Sequence, residues 1–195
     1  MRVTQYELFG SDVRPSVLSI RGDCCWNVHS IDPICGDLRR KGGVVNIFYL
    51  DENPWRAAAY QCDKHVVKMI LESAQMLSTV RGGPYKPTHA RHPCTLWVQE
   101  GTGNYDWLAR HAIALCGEYR VRYGRIHKCE PLILDMMLPP DNLPVRVTPP
   151  AQAMPDKYKD PDPVKAYRAY YLGEKMGFAR WKLGAPSWVR HHRLV

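Results

Sequence analysis

The chain of 195 residues is 45% hydrophobic and carries a formal net charge of +8, which fits one domain with a buried core and a surface that draws polyanions, nucleic acid foremost. No run of about 18 apolar residues occurs and no signal-like apolar stretch opens the chain, which excludes a membrane-spanning helix and gives no sign of secretion. Seven cysteines at irregular spacing argue for reduced thiols in a cytoplasm rather than a disulfide framework.

Residues 1–44 have no sustained period, hold Cys24, Cys25 and Cys35, and contribute only one of the net positive charges. They run into Arg39-Arg40-Lys41-Gly42-Gly43-Val44-Val45. Purine-rich codons for that basic run would resemble a bacterial ribosome-binding site, and valine can be encoded by an alternative start codon. The expectation is that translation begins at Val44 or Val45. Residues 1–44 are then a mis-assigned start; the alternative is a disordered or loosely packed non-core arm, and in either case 45–195 form a single α-helical domain.

Residues 46–50 are strand-like. Asn53 and Pro54 supply an N-cap and a first helical position, and one helix is predicted over 54–80, stopped by Gly82-Gly83-Pro84. A basic loop follows, with Lys86, His89, Arg91 and His92. Pro93 opens a short helix to residue 100. Asn104 is expected to cap a second long helix, 105–123, with Gly124 as its stop. Its apolar stripe comprises Trp107, Leu108, Ala112, Leu115, Cys116 and Tyr119, with His111 and Glu118 at the border. Residues 132–138 read as a short helix. The proline-rich segment 139–163 reads as an ordered wrapping strap or a mobile loop. A further helix, 163–177, sets Tyr167, Tyr170 and Tyr171 among Lys165, Arg168 and Lys175, before a basic, aromatic tail. The expected fold is mainly α: a compact helical domain with two long helices and one short N-terminal strand.

On the first long helix Gln61, His65, Lys68, Glu72 and Gln75 share one face, and Cys62, Val66, Ile70 and Leu77 share the other. One reading is a solvated face in which Glu72 pairs with Lys68 or His65. A second is metal. Cys62 and His65, with His89, His92 and Cys94 of the next loop, are zinc-type ligands, although the helical phase turns Cys62 toward the core and away from His65. A third is sugar chemistry. Cleaving an N-glycosidic bond in DNA develops positive charge on the sugar, which a fixed carboxylate stabilises while shuttling a proton. Histidine and lysine beside it would contact phosphate or sugar. Phosphate-cradling glycine loops and the paired-cysteine deaminase signature are absent from the sequence. Cys62 and Cys94 have histidines near in sequence, but a small buried side chain is the better reading of each.

Asp63-Lys64-His65, with Glu72 seven residues after the histidine, resembles the active-site helix of the pyrimidine-dimer DNA glycosylase family, the small α-helical endonuclease V type of phages and some bacteria. Arg91-His92-Pro93 ahead of a helix ending in Arg122-Tyr123-Gly124 is a second similarity, and together they span residues 46–128. The style of the stretch 46–188 also looks like that of uncharacterised phage proteins. The resemblance implies a DNA glycosylase with possible abasic-site lyase activity on damaged or modified pyrimidines. It implies Glu72 as the catalytic carboxylate and His65 and Lys68 beside it, with DNA contacts from Lys64, Lys86, His89, Arg91, His92 and Arg122. DNA is the implied partner, in the cytoplasm of a bacterial or phage-infected cell. No cofactor, membrane or protein partner is implied. Family members attack the sugar with the α-amine of the mature N-terminus. The arginines that neighbour the family's glutamate are replaced here by Leu71 and Gln75. Lys68 is the fallback Schiff-base amine. The rivals are a phage DNA base-modification enzyme and a non-enzymatic nucleic-acid-binding protein, in which Glu72 would merely pair with Lys68.

Overall fold

The computed structural model describes residues 45–192, all within one compact unit. The expectations for residues 1–44, including the cysteines there, lie outside the described residues. The described residues form seven α-helices: α1 Pro54–Tyr60, α2 Asp63–Arg81, α3 Pro93–Gln99, α4 Thr102–Tyr123, α5 Glu130–Asp135, α6 Pro163–Glu174 and α7 Ser187–His192. The mainly α fold is as expected. Among the described residues no helix is long and apolar enough to cross a membrane.

Helices α2 and α4 make the centre, with α1 and α3 against α4 and α5 at the far end. Val66, Ile70, Ala74 and Leu77 of α2 meet Leu108, Ala112 and Leu115 of α4, all fully buried. Both long helices stop where the sequence places a glycine. Gly82 and Gly124 take φ of 72° and 67°, the left-handed conformation that suits a residue without Cβ. The Asn53 side chain accepts from the amides of Trp55 and Arg56 and so caps α1, as its place before Pro54 predicts.

Three expectations are corrected. The single helix over 54–80 is broken. Gln61 and Cys62 are extended, with ψ of 141° and 160°. The backbone groups freed by the break find tertiary partners. Arg122 donates to the carbonyls of Ala59 and Gln61. The Cys62 amide donates to the Tyr171 hydroxyl, and the Asp63 amide to the Arg180 carbonyl. Local periodicity cannot see these partners, which lie far along the chain. Gln61 therefore does not share a helix with His65 and Glu72.

Second, residues 46–50 are not a strand, and no strand occurs among the described residues. Their amides are taken elsewhere. That of Asn46 goes to Glu72, that of Phe48 to the Asn46 side chain, and that of Leu50 to the Phe48 carbonyl in a tight turn. Phe48 has φ of 42°, a left-handed conformation that is unusual for a side chain of that size.

Third, α4 begins at Thr102, so Asn104 lies inside its first turn rather than at its cap. Its buried side chain donates to the Trp97 carbonyl and Thr148 and accepts from the Thr148 amide. These bonds pin the proline-rich segment, which is an ordered strap with a 3-10 turn at Asp156–Tyr158. The strap passes so close over Gly101 that a Cβ there would lie 2.3 Å from the Arg146 carbonyl oxygen. A Cβ on Gly103 would likewise lie 2.3 Å from Val147 Cγ2, so the two glycines together seat the strap.

His111, read as a border residue, is fully buried, stacked on Trp107 and bonded to the Gln61 amide group. Burial lowers its pKa to about 3, and His65 is lowered likewise to about 3. In the unfolded chain each protonates near 6.5, so below that pH the unfolded state binds more protons and stability falls as pH drops toward 3. Each histidine should contribute about 1.4 kcal/mol per pH unit across that window. Burial raises the pKa of Glu72, which acts in the opposite sense. Urea unfolding between pH 7 and 4.5 should therefore show a steady loss of stability, with His111→Gln removing about half the slope. A stability flat across that range would refute this account.

Candidate active site

Glu72 sits in the middle of α2, on the face the sequence left open to a solvated reading. The structure corrects that reading: Glu72 is 6% exposed and His65 7%. The expected Lys68 pair is present. Lys68 Nζ, one turn back and itself half-buried, lies 2.9 Å from Glu72 Oε1. The other oxygen, Oε2, accepts the backbone amide of Asn46 at 3.2 Å. The extended entry segment thus lies across the carboxylate, held there also by the Asn46 side chain, which donates to the Ala153 carbonyl of the strap. Burial raises the Glu72 pKa above the usual carboxylate range, while Lys68 and the Asn46 amide pull against that shift. A partly dehydrated carboxyl beside an ammonium can both stabilise developing positive charge and exchange a proton.

His65 lies one turn before Lys68, inside an aromatic box. Phe48 stacks on the imidazole at 4.3 Å between centroids, and Tyr171 and Phe178 present edges at 5.2 and 5.4 Å. Nδ1 is 2.8 Å from the Tyr171 hydroxyl. Burial first, then the charges of Lys175 and Lys68, lowers its pKa to about 3, so the ring is neutral at physiological pH. Lys175, at the end of α6, donates to the Tyr170 hydroxyl at 2.9 Å. Tyr170 in turn lies parallel to Phe48 at 6.3 Å.

Sequence reasoning placed Glu72, His65 and Lys68 in one row, and the structure keeps all three on α2, with Lys68 paired to Glu72. That reasoning missed Asn46, Phe48, Tyr171, Lys175 and Phe178. The contribution of Asn46 is a backbone amide, invisible in residue type. The tyrosines and Lys175 stood out as an aromatic-basic cluster, but nothing in their spacing tied them to α2.

The other expected DNA contacts divide. Lys64, Lys86, His89 and Arg91 are exposed, and Lys64 lies over the Phe178 ring. His92 is half-buried and its Nδ1 accepts the Cys94 amide, capping α3. Arg122 is corrected. Its side chain is 2% exposed and committed to Asp63 and Glu118, so it is not available to a polyanion. The zinc reading is corrected as well. Among the described residues no group of three or more His, Cys, Asp or Glu could hold a metal ion, so Cys62, His65, His89 and His92 form no such site. Burial pushes the Cys94 thiol up to about 12, which leaves it protonated and poorly nucleophilic.

A separate cleft of about 570 Å³ opens between Tyr49, Trp55, Trp97, Trp107 and Arg110, and it contains neither Glu72 nor His65. Trp55 is largely exposed there, and Arg110 pairs with Asp106.

Residues 45–131 fit the family model described as pyrimidine dimer DNA glycosylase, the family that the His65-to-Glu72 interval resembles. The matched segment runs from the entry strap over Glu72 through α1 to α4. It supports a pyrimidine-dimer DNA glycosylase type of function, with DNA as substrate. No curated protein and no solved structure gives a significant match to the chain.

Proposed function

We propose that the protein excises damaged or modified pyrimidines from DNA, with Glu72 as the catalytic carboxylate and an imine route that also cleaves the abasic site. The observation that carries this reading is the 3.2 Å contact between the Asn46 backbone nitrogen and Glu72 Oε2. In a chain that continues upstream, that nitrogen is an amide and not a nucleophile. In a chain beginning at residue 46 it is an α-amine on the carboxylate. In one beginning at residue 45 the amine lies one residue away, within about 4 Å of backbone. An α-amine has a pKa near 8, so a useful fraction is neutral at physiological pH.

The amine nitrogen would attack C1′ of the damaged nucleoside as the glycosidic bond breaks and the base departs with the bonding pair. Glu72 stabilises the cationic sugar and takes the proton released by the amine. Opening of the sugar ring leaves an imine at C1′, from which β-elimination expels the 3′ phosphate. Lys68 holds the neighbouring phosphate and His65 the sugar. Lys64, Lys86, His89 and Arg91 grip the backbone, and the tryptophan-walled cleft suits an exposed base. The rival non-enzymatic reading draws on the same Lys68–Glu72 pair, which it treats as structural.

The test is borohydride trapping on ultraviolet-irradiated duplex and on a panel of other damaged duplexes. Three chains are compared: residues 1–195, a chain starting with Met in place of Val45, and one released by a protease to start at Asn46. A trapped adduct is expected from at least one shortened chain and none, or far less, from the full chain. Equal trapping by all three would move the nucleophile to a side chain, Lys68 first. No excision by any of them on any lesion would refute the glycosylase reading.

A further inference from the structure

His65 lies inside the 45–131 segment but its hydrogen-bond partner, Tyr171, lies outside it, and that partner decides what His65 can do. We infer that Tyr171 holds His65 as the neutral imidazole whose Nε2–H is presented to substrate, so that His65 donates to an uncharged oxygen of the sugar or base and does not bind phosphate as a cation. The inference rests on the glycosylase reading for its substrate, but the protonation state it asserts does not.

The Tyr171 hydroxyl is fully buried and has two close partners, the Cys62 amide at 2.8 Å and His65 Nδ1 at 2.8 Å. The amide can only donate, so it takes one lone pair of the hydroxyl oxygen. The hydroxyl proton is then best spent on Nδ1. The reverse arrangement, with Nδ1–H donating, would leave a buried hydroxyl proton facing at best the weak acceptor sulfur of Cys62. With Nδ1 accepting, the ring proton belongs on Nε2. No hydrogen bond to Nε2 occurs among the described residues, and Nε2 is not among the sealed, unpartnered polar atoms. The small exposure left to His65 therefore reaches this atom.

The surroundings keep the ring uncharged. The element that carries it contributes Lys68, and the end of α6 contributes Lys175, both cations that oppose protonation. Lys64 lies over Phe178, on the box wall. Of the acids on α2, Asp63 is paired with Arg122, and Glu72, two turns on, has its oxygens engaged by Lys68 and the Asn46 amide. Phe48 and Phe178 cover the ring with carbon. Phe48 does so from a left-handed backbone position. Tyr171 acts through His65 and is a positioning residue.

The test is 15N-imidazole NMR of the full chain from pH 8 to 5, with excision kinetics alongside. His65 should show the Nε2–H tautomer and remain neutral throughout. Tyr171→Phe should mix the tautomers, raise the pH at which His65 protonates, and lower kcat about tenfold with little change in KM. His65→Gln keeps a neutral donor, so the salt dependence of duplex binding should not change. A slope lowered by about one would mean a lost phosphate contact and would overturn the inference. So would an Nδ1–H tautomer or a cationic His65 at pH 7 in the unaltered chain, a measurement that does not depend on whether Tyr171→Phe folds. If His65 is neutral and Nε2-protonated but Glu72→Gln still excises, the glycosylase reading fails while the protonation state stands.

Discussion

Glu72→Gln is expected to lower excision by at least about 100-fold while leaving duplex affinity and fold intact. The amide is the same size, and its oxygen can still accept the Asn46 backbone nitrogen. It carries no charge for an oxocarbenium-like sugar and takes no proton from an amine. Stability should not fall. Burial raises the Glu72 pKa even against the attraction of Lys68, because the carboxylate form is better solvated in the unfolded chain. A group with a raised pKa stabilises the fold below its unfolded value and loses that stabilisation as pH rises through its folded value. Above the raised pKa of Glu72, then, Glu72→Gln should unfold at the same urea concentration as the parent or a higher one. A carboxylate retained at a stability cost belongs to function more readily than to architecture. A variant that excised normally would remove Glu72 from the chemistry, and one that lost stability as well would restore the plain ion-pair reading.

The helix stops, the caps and the row of His65, Lys68 and Glu72 were legible because each depends on residues close in sequence. Gly82 and Gly124 end helices by local backbone conformation, and Asn53 caps α1 within three residues. What escaped is what distant residues decide. The break at Gln61-Cys62 exists because Arg122, Tyr171 and Arg180 receive its stray backbone groups. A polar row on a helix suggests solvent, yet the entry strap over Glu72 and α6 over His65 bury it. Residues 46–50 have strand composition but no strand beside them, and a side-chain carboxylate takes the first amide instead. The same contact brings an unremarkable asparagine onto the Glu72 carboxylate through a backbone N–H, a group every residue but proline has.

Arg122 carries the second large expectation, and it also separates architecture from DNA contact. Its guanidinium lies 2.7 Å from Glu118 and 3.1 Å from Asp63, and it donates to the carbonyls of Gln61 and Ala59 at 2.8 and 3.0 Å. Arg122→Met would leave two carbonyls and two carboxylates without this donor. Removing one member of a buried charge set costs about 3–5 kcal/mol. Asp63 and Glu118 keep some exposure, 15% and 24%, which places the loss near the lower figure. Thermal unfolding should drop by roughly 6–12 °C for a domain of this size. Arg122→Lys should rescue little, because a single ammonium cannot reproduce a planar fork that reaches both carbonyls and both acids. The loss should spread to the site. Asp63 opens α2, and its carboxylate also accepts the Lys182 amide, so Arg122 ties the start of the helix that bears His65 and Glu72 to α4 and to the C-terminal segment. Excision should therefore fail at lower temperature in Arg122→Met, with the salt dependence of duplex binding unchanged below that temperature. A normal unfolding temperature together with a weakened salt dependence would return Arg122 to the DNA-contacting surface where its place in the Arg122-Tyr123-Gly124 turn first put it.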